Sequence, residues 1–271
     1  MKNNKHFLHF VVSVCAIFLC VACNGGNVGP GPSPDPDPPT PPDPPVPVES
    51  TTIVKARDIN SGNTIAFNYE GEGDCVVDWG DDTNNDAHEA SHTYLQSFAD
   101  ITITITGIIT KINFFDLSPF CNNVLVYSIK LGDSVTTIPN RAFYTCNLDE
   151  ITIPNSVTTV GENIFDKYSE NLLIYCEAES KPSGWNENWN TGGSFCYWGF
   201  LNKDSDGNFN YIVTTAGVYI DKYIGTGTEV DVPSSHQDIP VKTINAKAFI
   251  DKKNIENKYA TVFIPKGHSQ A

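Results

Sequence analysis

The segment IKLGDSVTTIPNRAF at residues 129–143 returns as ITIPNSVTTVGENIF at residues 151–165, 22 residues later and without a gap. Ile129, Leu131, Ser134, Val135, Thr136, Thr137, Ile138 and Phe143 fall on Ile151, Ile153, Ser156, Val157, Thr158, Thr159, Val160 and Phe165. A period of this length is that of one coil in a solenoid. In Ile151-Thr152-Ile153 the alternation turns two apolar side chains to one face of a short strand and Thr152 to the other. Pro154 lacks an N–H and suits the strand's end. Val157, Val160 and Phe165 then point back into the coil. One coil cannot bury its own inner face, so neighbours must stack on it.

Further copies follow. Val230-Asp231-Val232-Pro233 and Val262-Phe263-Ile264-Pro265 repeat the strand-and-proline piece, and Val241-Lys242-Thr243-Ile244 with Ala248-Phe249 repeats the remainder. The last strand piece, close to Ala271, is expected to act as the cap that a solenoid needs. SVTTIPNRAF, ITIPNSVTTVGENIF, IYCEAESKPSGWNENWN with CYWGF, and EVDVPSSHQDIPVKTINAKAF together resemble the BspA-like leucine-rich repeat family of bacterial surface proteins. The resemblance runs from Val124 to Gly267, with a less regular middle from Glu177 to Gly227. It implies a right-handed, β-rich solenoid displayed outside the cell for adhesion or protein binding, and it transfers no catalytic residues.

The rest of the chain fits an exported modular protein. Lys2 and Lys5 precede an apolar run from Phe7 to Ala22, the layout of a secretory signal peptide over residues 1–22. Cys20-Val21-Ala22-Cys23 resembles a bacterial lipobox, which makes Cys23 the expected lipidation site and a bacterial membrane, the outer membrane or cell surface, the expected location. Residues 23–49 hold eleven of the 18 prolines and read as a stiff polyproline stalk. The formal charge of -15 disfavours nucleic acid as a partner.

Residues 50–112 read as short strands between glycine-rich turns, a small β-sandwich. Val77-Asp78-Trp79-Gly80-Asp81-Asp82 with His92-Thr93-Tyr94 resembles the PKD-like immunoglobulin-type module. The fold expected is therefore mainly β: a PKD-like sandwich with its own core, then a leucine-rich-repeat solenoid over 113–271 with an irregular insert at 177–227. Asp78, Asp81, Asp82, Asp86, His88 and His92 are the most tempting metal ligands. Their spacing fits neither an EF-hand nor a zinc motif, so the structural reading is preferred, with Asp81 bonding turn amides. Lys203 to Asn208 has some calcium-loop character but reads first as a hairpin turn at Asp206-Gly207. Neither a cofactor nor an enzyme activity is expected.

Of the eight cysteines, Cys75, Cys121, Cys146, Cys176 and Cys196 remain beyond Cys23. Cys146 takes an inward coil position, and a bond between Cys176 and Cys196 is left open. Trp185 and Trp189 in the insert are read as core plugs, with an exposed sugar- or protein-binding set as the alternative. The function expected is non-enzymatic binding or adhesion by a monomer. A carbohydrate-binding accessory lipoprotein of a polysaccharide-uptake system is the alternative, and a secreted hydrolase is a weaker one. The candidate binding face is the outward strand ladder Lys130, Thr152, Asp231 and Phe263, mixed and acidic in charge through Asp149 and Glu150.

Overall fold

The computed structural model describes residues 48–83, 90–114, 123–165, 171–227, 229–245 and 248–249, with only the backbone of 74, 261–263 and 269–270. The expected signal peptide, Cys23, the stalk up to residue 47, Asp86, His88 and Cys121 lie outside the described residues. The first strand, β1 (Ser50–Ile59), buries Thr52, Val54 and Ala56 and turns Lys55 to solvent. After it come β2 (Thr64–Ala66), β3 (Asn68–Asp78), β4 (Ser91–Thr93) and β5 (Phe98–Asn113). The Ile/Thr alternation in β5 buries Ile101, Ile103 and Ile105, which is why so long a strand is stable between two antiparallel partners, β1 and β3. β2 and β4 pair separately.

A short 3-10 turn at Asn123–Leu125 leads into β6 (Val126–Lys130), β7 (Thr137–Ile138), β8 (Glu150–Ile153), β9 (Thr159–Val160), β10 (Leu173–Cys176) and β11 (Phe195–Trp198). These strands stack as a β-solenoid, about five turns in all. In one parallel ladder Ser128 faces Glu150, Glu150 faces Leu173 and Leu173 faces Phe195, so successive rungs lie 22, 23 and 22 residues apart. A second ladder runs from Lys111 of β5 to Thr137 of β7 and Thr159 of β9, and ends where Val160 bridges Trp185. At the third corner Phe114, Phe143 and Ile164 donate their backbone N–H to Ala142 (2.7 Å), Ile164 (2.8 Å) and Trp189 (3.2 Å). Gly184 passes so close that an added Cβ would lie 2.3 Å from the Thr158 carbonyl oxygen, and only glycine fits there.

The separate core expected for 50–112 does not form. β1 pairs directly with β6, and β5 with β7, so both strands of the N-terminal hairpin begin the solenoid's ladders. Phe67 stacks toward Phe114 (5.6 Å), Phe114 toward Phe143 (6.3 Å), Phe143 toward Phe165 (6.0 Å) and Phe165 toward Trp189 (6.4 Å). This spine joins one buried cluster that runs from Val54 to Trp189. Buried Asn123 ties the two parts together. Its Nδ2 donates to the carbonyls of Ala66 (2.7 Å) and Phe114 (2.6 Å), and its Oδ1 accepts the Ala66 N–H (3.1 Å).

Beyond the stack, β12 (Phe200–Ser205), β13 (Phe209–Thr214) and β14 (Gly217–Tyr223) form an antiparallel meander. The expected hairpin turn is present: Asp206 Oδ1 accepts the N–H of Asn208 and Phe209, both at 2.8 Å. The chain continues through β15 (Glu229–Asp231), β16 (Ser235–His236), β17 (Ile239–Ile244), β18 (Thr261–Phe263) and β19 (Ser269–Gln270). β14, β17 and β19 run parallel, as do β15 and β18, so the later repeat pieces build a second stack with its own apolar core around Val213, Ile220 and Val241. Among the described residues no helix is long and apolar enough to cross a membrane.

Candidate functional site: the outward strand face

In the first ladder Ile129, Ile151 and Ile174 point inward and are buried, so the residues beside them point out. One outward column is Ser128, Glu150, Leu173 and Phe195, and the next is Lys130, Thr152, Tyr175 and Tyr197. β1 adds a rung, with Lys55 opposite Ser128 and Ile53 opposite Lys130. Lys130 and Thr152 therefore lie on one face, as expected. Asp231 and Phe263 do not join them. They are register partners in the separate β15–β18 pair, and the positions expected for them belong to Tyr175 and Tyr197. The Phe263 side chain lies outside the described residues.

The two tyrosines show why the open face is short. They are only 1% and 4% exposed, because Ile212, Tyr219 and Phe200 of the meander pack on them. Lys203 of β12 also reaches over this seam. It donates to Glu150 Oε2, and its ammonium lies 4.4 Å from the Tyr175 ring centre. Ser128 donates to the other Glu150 oxygen at 3.1 Å. At the opposite edge Arg57 donates to Asp149 Oδ2 (2.7 Å) and lies 4.7 Å above the Tyr127 ring, whose hydroxyl donates to Asp100 (3.3 Å). The hydrogen bond and the charge of Asp149 hold the Arg57 guanidinium above its usual range.

These pairings offset the acidic charge expected from Asp149 and Glu150. Asp149 and Glu150 are each occupied by a cation, whereas exposed Lys55 and Lys130 have no ion-pair partner among the described residues. Beside its two paired acids, the face thus carries two unpaired ammonium groups.

Residues 90–177 match the family model for the BspA type leucine rich repeat region, in six copies. No curated protein and no solved structure matches the chain. The BspA-type match starts within the segment expected to be a separate module, in keeping with β5 serving as a rung of the second ladder. It ends at Glu177, before β11, so the later pieces at 229–264 lie outside it.

The remaining candidates take structural places. Asp78 Oδ1 accepts the Gly80 N–H (2.9 Å), and Asp81 accepts from Thr83 and pairs with His92 Nε2 (2.8 Å). His92 in turn stacks on Trp79 (5.2 Å). Burial pushes the Asp81 carboxyl up, but the Thr83 and His92 bonds outweigh it and hold the group below the usual carboxylate range. Trp185 and Trp189 are 2% and 6% exposed and fill the last coils of the stack. Among the described residues no three acidic, histidine or cysteine side chains converge as a metal site.

One arrangement was not visible in sequence. His236, which sits in an unremarkable loop motif, lies 2.8 Å from Asp204 and stacks on Tyr211 at 3.9 Å, tying β16 to the meander.

Asp221, on β14 near the Lys203–Glu150 seam, accepts from Asn245 at 3.4 Å. Burial raises its carboxyl above the usual carboxylate range, Lys203 and Asn245 offset part of this, and Glu150 adds to it. A raised acid stabilises the fold fully below its unfolded pKa and loses that contribution as pH rises through its folded pKa. Asp221→Asn cannot ionise, so it is expected to melt above wild type at neutral pH and to have no advantage at about pH 3. Thermal melts at the two pH values check this, and equal melting at both would show a fully solvated carboxylate.

Proposed function

We propose that this chain is an exported, lipid-anchored surface protein that binds a protein or glycan on its outward strand face and does no catalysis of its own. The observation that carries the reading is the pairing pattern on that face. A ladder with rungs 22 or 23 residues apart, joined by β1, presents Lys55 and Lys130 without ion-pair partners among the described residues, while Asp149 and Glu150 are each bound by a cation. Rigid, repeated strand faces of this kind suit recognition, because the core does not need their side chains. The ligand class that fits is an acidic one, a glycan or protein surface bearing carboxylate or sulfate groups. The BspA-type match supports a binding repeat protein, and the export and anchoring at Cys23 rest on the sequence of residues 1–23.

The PKD-like reading of 50–112 is supported by the Trp79, His92 and Tyr94 cluster, in which the Tyr94 hydroxyl donates to the Trp79 carbonyl at 3.1 Å. In this reading the module is not a free spacer but the first part of the stack. The polysaccharide-uptake alternative depended on exposed Trp185 and Trp189, and their burial leaves it without a favouring observation.

An array of neutral, uronic-acid and sulfated glycans and of extracellular proteins tests the proposal. Capture of acidic members is expected, weakening as salt rises. Lys55→Glu with Lys130→Glu is expected to cut that capture several-fold at unchanged melting temperature, since both side chains are exposed. Undiminished capture by this variant would move the site elsewhere.

A further inference from the structure

Four cysteines fall among the described residues, and two of them, Cys75 and Cys146, are buried singly in the main core. Cys176 and Cys196 are different. Cys176 ends β10, and Cys196 lies on the neighbouring parallel strand β11. The register pairs Ile174 with Cys196 and Cys176 with Trp198, so the two cysteines sit diagonally on the face that points into the coil. Their Sγ atoms are 3.1 Å apart. Side chains that merely pack approach to about 4 Å, and a disulfide needs about 2.05 Å. The two sulfurs therefore stand within about 1 Å of bonding distance.

The position gives such a bond a purpose. β11 is the outermost strand of the nine-stranded sheet, with only β10 beside it. It carries Trp198, which packs against Trp185 (5.6 Å) and Trp189 (6.3 Å), and the chain then turns at Gly199 into the meander. An edge strand with one neighbour is the first part of a stack to fray.

We propose that Cys176 and Cys196 form a disulfide that staples this last rung to the solenoid. Its setting in the cell rests on the export proposed above, but the geometry does not. The oxidant is a disulfide-bearing exchange partner. The thiolate of Cys196, the more accessible of the two, attacks one oxidant sulfur, breaking the oxidant's S–S bond and freeing its other sulfur as a thiol. The Cys176 thiolate then attacks Cys196 Sγ and expels the second oxidant sulfur. One S–S bond is lost and one is made, two electrons reduce the oxidant, and the two cysteine protons end on its sulfurs. Burial pushes the Cys176 thiol up, so closure belongs to the folding coil, before that sulfur is enclosed.

The test refolds the full chain from denaturant and reductant with oxidised glutathione, alkylates it with N-ethylmaleimide and maps the peptides by mass. The expected product is a peptide joining Cys176 to Cys196, with Cys75 and Cys146 alkylated. Reductant should then lower the melting temperature of the wild type by roughly 5–10 °C and leave a Cys176→Ser, Cys196→Ser variant unmoved. Alkylation of both cysteines, or a bond from either to another cysteine, overturns the proposal. The peptide map uses the wild-type chain, so the outcome does not depend on the variant folding. A second sample, isolated from cells that export the protein, separates the two proposals. A bond that closes in vitro but is open in that sample upholds the pair and counts against export.

Discussion

Phe143→Ala is expected to cost about 3–5 kcal/mol and to melt residues 50–112 together with the coils in one transition. Phe143 is fully buried between Phe114 and Phe165, in the middle of the aromatic spine that runs from Phe67 to Trp189. Removing the ring leaves a hole that the flanking coils cannot fill, because their backbones are fixed by the Phe114 and Phe143 hydrogen bonds above and below it. The damage should spread, since β1 and β5 share ladders with β6 and β7 and share the same buried cluster. Hydrogen exchange at Ile103 and Ile151 reads both parts. Loss of protection at both by one common opening is the expected result. Retained protection at Ile103 while Ile151 exchanges would restore two separate cores.

Trp185→Ala carries the second large effect, again about 3–5 kcal/mol. Trp185 meets Trp189 at 4.9 Å, and its indole Nε1–H donates to the Val157 carbonyl at 3.1 Å. Truncation leaves both a cavity and an unpaired buried carbonyl. Any ligand capture lost by this variant should therefore follow its unfolded fraction through a urea titration. Capture lost at unchanged stability would mean that the ring meets the ligand directly, and the packing role would fail.

Several parts of this structure can be read in the chain itself. The repeat is visible because each coil must bury the same inner face, and that demand places Ile129, Ile151, Val135 and Val157 at a fixed period. The hairpin at Asp206-Gly207 is legible because the turn is local. The fusion of the two parts is not. It depends on β1 pairing with β6 across about seventy residues, and a strand carries the same alternation whichever neighbour it finds.

The candidate face divides in the same way. Sequence placed Lys130 and Thr152 on the outward side, since alternation alone fixes which side chains leave the core. Aromatic Tyr175 and Tyr197 at the same positions carried a signal that this column is covered, but the irregular spacing of the insert hid their alignment. Tertiary structure decided the rest. It laid the meander over those tyrosines, sent Asp231 to another ladder, and brought Arg57 and Lys203 to the acids of the face. A period along the chain determines how one coil stacks on the next. Charge on a surface depends on which distant side chains come within ion-pair reach, and only the folded chain sets those distances.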